Sequence, residues 1–142
     1  MSNLHAFFAQ NVEKVQVEEH VISNRFKDEN GNPIKWQFGA IDGMKDTENR
    51  AAATKKVPMY NNPNVKLPET DFDLYILKNA VDSIKFPNLK DAELQKSYGV
   101  MCGEELLQKM LLPGELTEVK RITQEVNGFN AGITEMVEEA KN

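Results

Sequence analysis

Apolar and polar residues change rhythm about halfway along the chain. From about Val15 to Leu67 the pattern is that of strands and turns, and from Asp71 onward it is that of short helices separated by Gly and Pro. In "VQVEEHVISNRF", Val15 and Val17, then Val21, Ser23 and Arg25, alternate with a shift near Glu19, which predicts a bulged or bent strand. Asn30-Gly31 in "KDENGNP" is a tight hairpin signal, because both residues tolerate the positive φ of such a turn. The return strand is "IKWQFGAI", with Ile34, Trp36 and Phe38 on one face. Asp42 is placed to cap a helix through "GMKDTENRAAATKK", whose thin apolar face of Met44 and alanines puts it at the surface. Pro58, Pro63 and Pro68 around Asn61-Asn62 predict an extended hairpin-like excursion or a loop, not a central strand.

Thr70 followed by Asp73 has the spacing of a capping box for the helix "DFDLYILKNAVDSIKF". Phe72, Ile76, Ala80 and Ile84 run along one side and Leu74, Leu77 and Val81 along another, so this helix is expected at the centre of the packing until Pro87 stops it. Asn88 as cap and Asp91 in the first turn open a short helix, "LKDAELQKSYG", that Gly99 closes in the left-handed conformation. "GEELLQKMLL" carries the stripe Leu106, Leu107, Met110 and Leu111 and ends at Pro113-Gly114. "ELTEVKRITQEV" carries Leu116, Val119, Ile122 and Val126 and ends at Asn127-Gly128. A last helix, "ITEMVEEAK", repeats the spacing with Ile133, Met136, Val137 and Ala140. The expected fold class is α+β. A β-hairpin region (about 12–68) precedes a mainly helical region (about 70–142) in one domain, 1–142.

Composition narrows the function classes. A formal net charge of −5 argues against nucleic acid as the main partner, which wants a clustered positive field. The local exception is "TKKVPMYNNPNVKL", where Lys55, Lys56 and Lys66 surround Tyr60; the expected reading is a solvated edge. One cysteine, Cys102, cannot make an internal disulfide, which fits a reducing compartment. "MSNLHAFFAQNVEKV" lacks the parts of a secretory signal, and no stretch reaches the roughly 20 apolar residues that cross a bilayer. A soluble, cytoplasmic protein with no membrane partner is expected.

Candidate chemistry is sparse. Asp28, Asn30 and Asn32 occupy the first, third and fifth places of a calcium loop, but Pro33 and Gly39 stand where its glycine and bidentate glutamate belong. Cys102 lies near a helix N-terminus, where a thiolate is favoured, yet the histidines, His5 and His20, are in the other half of the chain. Glu104 with Glu105, and Glu138 with Glu139, are adjacent on helices and point apart, so neither pair converges on one substrate. One cysteine and two isolated histidines give no metal cluster, and "GVMCG" lacks the lysine and hydroxyl of a phosphate loop. No catalytic set, cofactor or metal site is expected.

The motifs "AFFAQNVEKV", "SNRFKDENGNPIKW", "FPNLKDAELQKSYGVMCGEELLQKML", "VNGF" and "MVEEAKN" together resemble the XkdN-like tail assembly chaperones of phages and defective prophages of Bacillus and its relatives. The resemblance spans almost the whole chain, and the long middle motif is its most specific part. The thiol at Cys102 and the segment Met59 to Leu67 depart from the family pattern. The resemblance implies a non-enzymatic protein that binds the tape measure protein, helps recruit tail tube subunits and is absent from the finished virion. Many such chaperones also have a frameshifted longer form. The competing expectation is a structural tail or connector protein that stays in the particle. For a chaperone, the expected client-binding residues are those members of the two stripes, Leu106, Leu107, Met110, Leu111 and Leu116, Val119, Ile122, Val126, that the fold leaves exposed.

Overall fold

In the computed structural model, which describes residues 3–129, the aromatic strand lies at the middle of a small antiparallel sheet. β1 (Glu18–His20) and β5 (Ile84–Phe86) flank β2 (Trp36–Phe38), with Glu18 opposite Phe38, His20 opposite Trp36, and Phe38 opposite Ile84. Trp36 and Phe38 turn one way and are 1% and 0% exposed, as the period-two pattern requires. The predicted long first strand shrinks to three residues. Val15, Val17 and Val21 stay exposed, while Ile22 and Ser23 are buried. The Ser23 hydroxyl accepts the Arg25 amide at 3.1 Å, a local turn that takes the backbone out of any ladder.

The Asn30-Gly31 turn forms, with Gly31 at φ 82° and the Ile34 amide donating to the Phe26 carbonyl at 2.8 Å. Asp28 Oδ1 accepts the amides of Asn30 and Asn32 at 2.9 and 3.0 Å. The carboxylate that suggested calcium therefore stabilises the turn itself.

α1 (Gly43–Ala52) is capped by Asp42, which accepts from the Lys45 amide at 2.8 Å. The helix expected to run to Lys56 stops at Ala52, and Thr54–Met59 forms β3, which pairs with β4 (Asn62–Thr70) in a separate two-stranded ribbon. β-branched Thr54 and Val57, and Pro58, suit an extended chain better than a helix. The Thr54 hydroxyl donates to the Arg50 carbonyl at 2.7 Å and so closes α1. Pairs Lys55 with Glu69 and Val57 with Leu67 share one face of the ribbon; Lys56 with Pro68 and Pro58 with Lys66 share the other.

α2 (Phe72–Ser83) begins one residue later than the capping-box reading: Asp71, not Thr70, accepts from the Leu74 amide, at 3.1 Å. It ends before Ile84–Phe86, expected as its last turn, which instead forms β5. Pro87 disfavours helical backbone at Phe86, and the open edge of β2 receives the strand. α2 is central, as predicted, packing on α1, α4 (Gly103–Met110), α5 (Pro113–Val126) and β5. Its Leu77, Ala80 and Val81 join Trp36, Phe38, Leu89, Leu106, Leu107, Val119 and Ile122 in one core. Phe72, read as part of an apolar side, is 57% exposed. α3 (Ala92–Ser97) starts later than expected: Asp91, not Asn88, is its cap and accepts from the Leu94 amide at 2.8 Å, while Asn88 accepts the Lys90 amide at 3.1 Å in the turn before it; its end is as expected, with Gly99 at φ 70°. Gly103 lets α4 lie flush on α2, since a Cβ there would sit 2.7 Å from Val81 Cγ1. Pro113 opens α5 instead of merely ending α4. The helix predicted with Ile133, Met136, Val137 and Ala140 lies outside the described residues.

A polar seam joins α1 to α2. Asn49 and Asn79 are 8% and 1% exposed, and the Asn49 amide donates to Asn79 Oδ1 and Asp82 Oδ2, each at 2.9 Å. Asp46 accepts from the Asn79 amide at 2.8 Å and from the Tyr75 hydroxyl. Burial alone would raise the Asp82 carboxyl, but hydrogen bonds from Asn49 and Lys90 outweigh it and hold that group below its ordinary value.

Candidate functional site

The first turn of α2 stands between two clefts. On one side a cleft of about 550 Å³ is walled by the end of α1 (Ala52, Ala53), the base of the ribbon (Lys55, Val57, Glu69) and Phe72. On the other, one of about 360 Å³ is walled by Leu77, Gln108 of α4 and Leu116 and Lys120 of α5. Asp71, Asp73 and Leu74 line both, so the two halves form one interrupted groove. Asp71 is committed to the helix cap. Phe72 is held in place by the Arg50 guanidinium, 5.7 Å from its ring centre, and by Tyr75, edge-on at 6.5 Å. The groove thus has apolar walls, Val57, Phe72, Leu74 and Leu116, and charged rims of both signs.

The eight stripe residues separate here. Leu106, Leu107, Met110, Leu111, Val119 and Ile122 are buried in the core. Leu116 and Val126 are half-buried and pack on its margin, and Leu116 alone of the eight lines the groove. Residues that the stripes did not indicate are Phe72, Leu74 and Val57. Phe72 was assigned to packing, and the ribbon that carries Val57 was legible only as an excursion.

The other candidates are placed apart. Cys102 is the half-buried residue before α4, with no side-chain capping bond. His20 lies edge-on to Phe38 and 3.4 Å from Glu18. Glu104 lies 3.8 Å from Lys78, while Glu105 is exposed. Glu138 and Glu139 lie outside the described residues. Among the described residues no group of three His, Cys, Asp or Glu is placed to hold a metal ion, and no helix is long and apolar enough to cross a membrane.

α5, which supplies Leu116 and Lys120, is fixed at its start by Glu115. Its carboxylate accepts from the Leu112 amide at 2.8 Å and from Arg25 at 2.5 Å, and Arg25 also donates to the Met110 carbonyl at 2.9 Å. The Ser23 hydroxyl, the Leu112 amide and Arg25 together lower the Glu115 pKa from 4.5 to about 2. A carboxyl depressed on folding contributes stability above its ordinary value and loses it as pH falls. Glu115→Gln is therefore expected to lower stability at neutral pH by about 1 kcal/mol, a figure kept small because Arg25 is half in solvent. The loss should fade as pH drops from 4.5 toward 2. Thermal melts of both proteins across that window check this; parallel curves would remove the role given to Glu115.

An apolar groove with charged rims on a small α+β frame is the kind of surface that peptide-recognition modes use. The particular family follows from comparison: the chain belongs to the phage XkdN-like tail assembly chaperone proteins, whose family model matches residues 4–141. It is 30% identical over 136 residues to YqbN of Bacillus subtilis (strain 168), covering 94% of this chain and 88% of that protein. It is 26% identical over 122 residues to the phage-like element PBSX protein XkdN of the same strain, covering 85% and 81%. The crystal structure of YqbN superposes with a TM-score of 0.78 at 25% identity, covering 91% of this chain and 98% of that one. The family expected from the motifs is the family found.

Proposed function

We propose that this protein binds the tape measure protein in the host cytoplasm, keeps that long polypeptide soluble, and helps bring tail tube subunits to it, with no catalytic step of its own. Membership of a tail assembly chaperone family supports this reading, and the observation that carries it is the groove at the start of α2, with Leu116 in its wall. A helical client would set apolar residues at i, i+3 and i+4 against Phe72, Leu74 and Leu116, with Lys55 and Lys120 on one charge of its polar face and Glu69 and Asp73 on the other. Val126, half-buried at the far end of α5, extends the proposed client surface along that helix. The buried stripe members act indirectly, by holding α4 and α5 in place.

The test is co-expression with the tape measure protein encoded nearby, followed by affinity capture and size-exclusion chromatography. A soluble stoichiometric complex is expected, with the tape measure protein insoluble alone. Phe72→Lys combined with Lys120→Glu should abolish capture while leaving the melting temperature within a few degrees of wild type, since Phe72 in the groove wall is 57% exposed and Lys120 lies at its rim. Undiminished capture by that variant would remove the groove. A wild-type chain that gives no complex, and is found instead in purified virions, would replace the proposal with a structural tail component.

A further inference from the structure

The outer face of the three-stranded sheet is more apolar than an open face requires. Trp36 and Phe38 point into the core, so Gln37, opposite Glu19 on one side and Phe86 on the other, points away from it. Val17 and Val21 share the alternation of Glu19, and Val17 Cγ2 lies 3.6 Å from the place a Cβ would take on Gly39. The Lys85 stem crosses Gly39 on the same side, its Cε 3.1 Å from that place. Val17, Val21 and Phe86 are 52%, 46% and 48% exposed. An antiparallel sheet with one wet face normally sets polar residues there, and this one sets two valines and a phenylalanine around Gln37.

The chain leaves α5 at the edge of this face. Asn127, the C-cap of α5, accepts from the Ile41 amide at 2.9 Å and donates to the Ser83 hydroxyl at 2.9 Å, while the Ser83 carbonyl accepts from the Gly39 amide at 2.8 Å. Gly128, at φ 82°, then turns the backbone out of the helix. Residues 130–142 lie outside the described residues; their sequence carries Ile133, Met136, Val137 and Ala140 at helical spacing, and Glu135, Glu138 and Glu139 against Lys141. The sheet face has the opposite balance, with Lys35 and Lys85 against Glu19.

We propose that residues 130–142 lie across the outer face of the sheet, with their apolar stripe on Val17, Val21 and Phe86 and their glutamates toward Lys35 and Lys85. The exit point selects this face over the groove. Leu116 lines the groove from the first turn of α5, whereas the chain leaves from Asn127, roughly 16 Å further along a helix that rises about 1.5 Å per residue. Length agrees as well. The face runs roughly 13 Å from Val17 to Val21 at about 3.3 Å per residue, and a stripe at helical spacing from Ile133 to Ala140 covers roughly 11 Å. The sheet then has a layer on each side, and the groove stays open to a client.

The experiment is disulfide trapping in the full chain, with Cys102→Ser to remove the native thiol and Val21→Cys with Ala140→Cys as the pair. A bond within one chain is expected at low micromolar concentration. Adding Ile133→Asp and Val137→Asp should slow its formation roughly tenfold or more, because a segment that is only tethered has a lower effective concentration at Val21 than one seated there. Methyl and aromatic NMR of the chain without added cysteines reads the same contact. The two aspartates should shift the signals of Val17, Val21 and Phe86 and leave those of Leu106 and Val119 in the core where they are. Equal trapping rates with and without the aspartates, or unmoved Val17, Val21 and Phe86 signals, would overturn the proposal. A disulfide that joins two chains would also overturn it and assign the face to a second copy. Aspartates that abolish capture of the tape measure protein while trapping is unchanged would assign the stripe to that client instead.

Discussion

Phe38→Ala lowers the free energy of unfolding by about 3–5 kcal/mol, the usual cost of emptying an aromatic site in a packed core. Phe38 is 0% exposed, lies in the central strand, and is opposed by Ile84 at one edge and by the His20 ring, edge-on at 5.7 Å, at the other. The sheet there is three residues long on every strand, so neighbouring backbone has little freedom to close the void. A domain of this size has roughly 5–15 kcal/mol of stability, so the variant approaches the threshold of folding at all. Urea titration followed by emission of Trp36, the single tryptophan and 1% exposed, reads the change directly. A shift under 1 kcal/mol would mean that the sheet is not the floor of the core.

Asn79→Leu is the second large effect, about 2–3 kcal/mol destabilising, although it makes a helix interior more apolar with the same number of side-chain heavy atoms. The leucine removes the acceptor of the Asn49 amide and one donor to Asp46, leaving polar groups in the seam short of partners. Asn49 keeps Asp82 and Asp46 keeps the Tyr75 hydroxyl, which limits the loss. The double variant Asn49→Leu, Asn79→Leu should cost less than the two single changes added together, since their effects overlap at one contact. Chemical denaturation of the four proteins gives the coupling, and strict additivity would show that the two amides act separately.

These two sites also mark where the sequence was informative and where it was not. Phe38 was legible because alternation over Ile34, Trp36 and Phe38 is a local property of a strand with one wet face. Asp42, Gly31 and Gly99 were legible for a similar reason, because caps and tight turns are satisfied within a few residues. Asn79 was not legible, since its burial depends on Asn49 thirty positions earlier. Residues Ile84 to Phe86 continue a helical stripe and become a strand only because β2 offers an open edge. The candidate site was legible in part. Leu116 was among the stripe residues, but which of eight similar positions would reach the groove depended on how α4 and α5 pack against α2.

The seam between α1 and α2 has a thermal consequence. Apolar contacts weaken on cooling because the water they release carries a large heat capacity, whereas exposure of polar groups changes heat capacity in the opposite sense. Asn49 is the one buried residue within α1, so this helix is held on by amide and carboxylate contacts while the sheet and the other helices share hydrocarbon. On cooling, the core loosens and the seam does not. The attachment of α1, and with it the start of the ribbon, follows a temperature curve of its own, flatter than that of the molecule it belongs to.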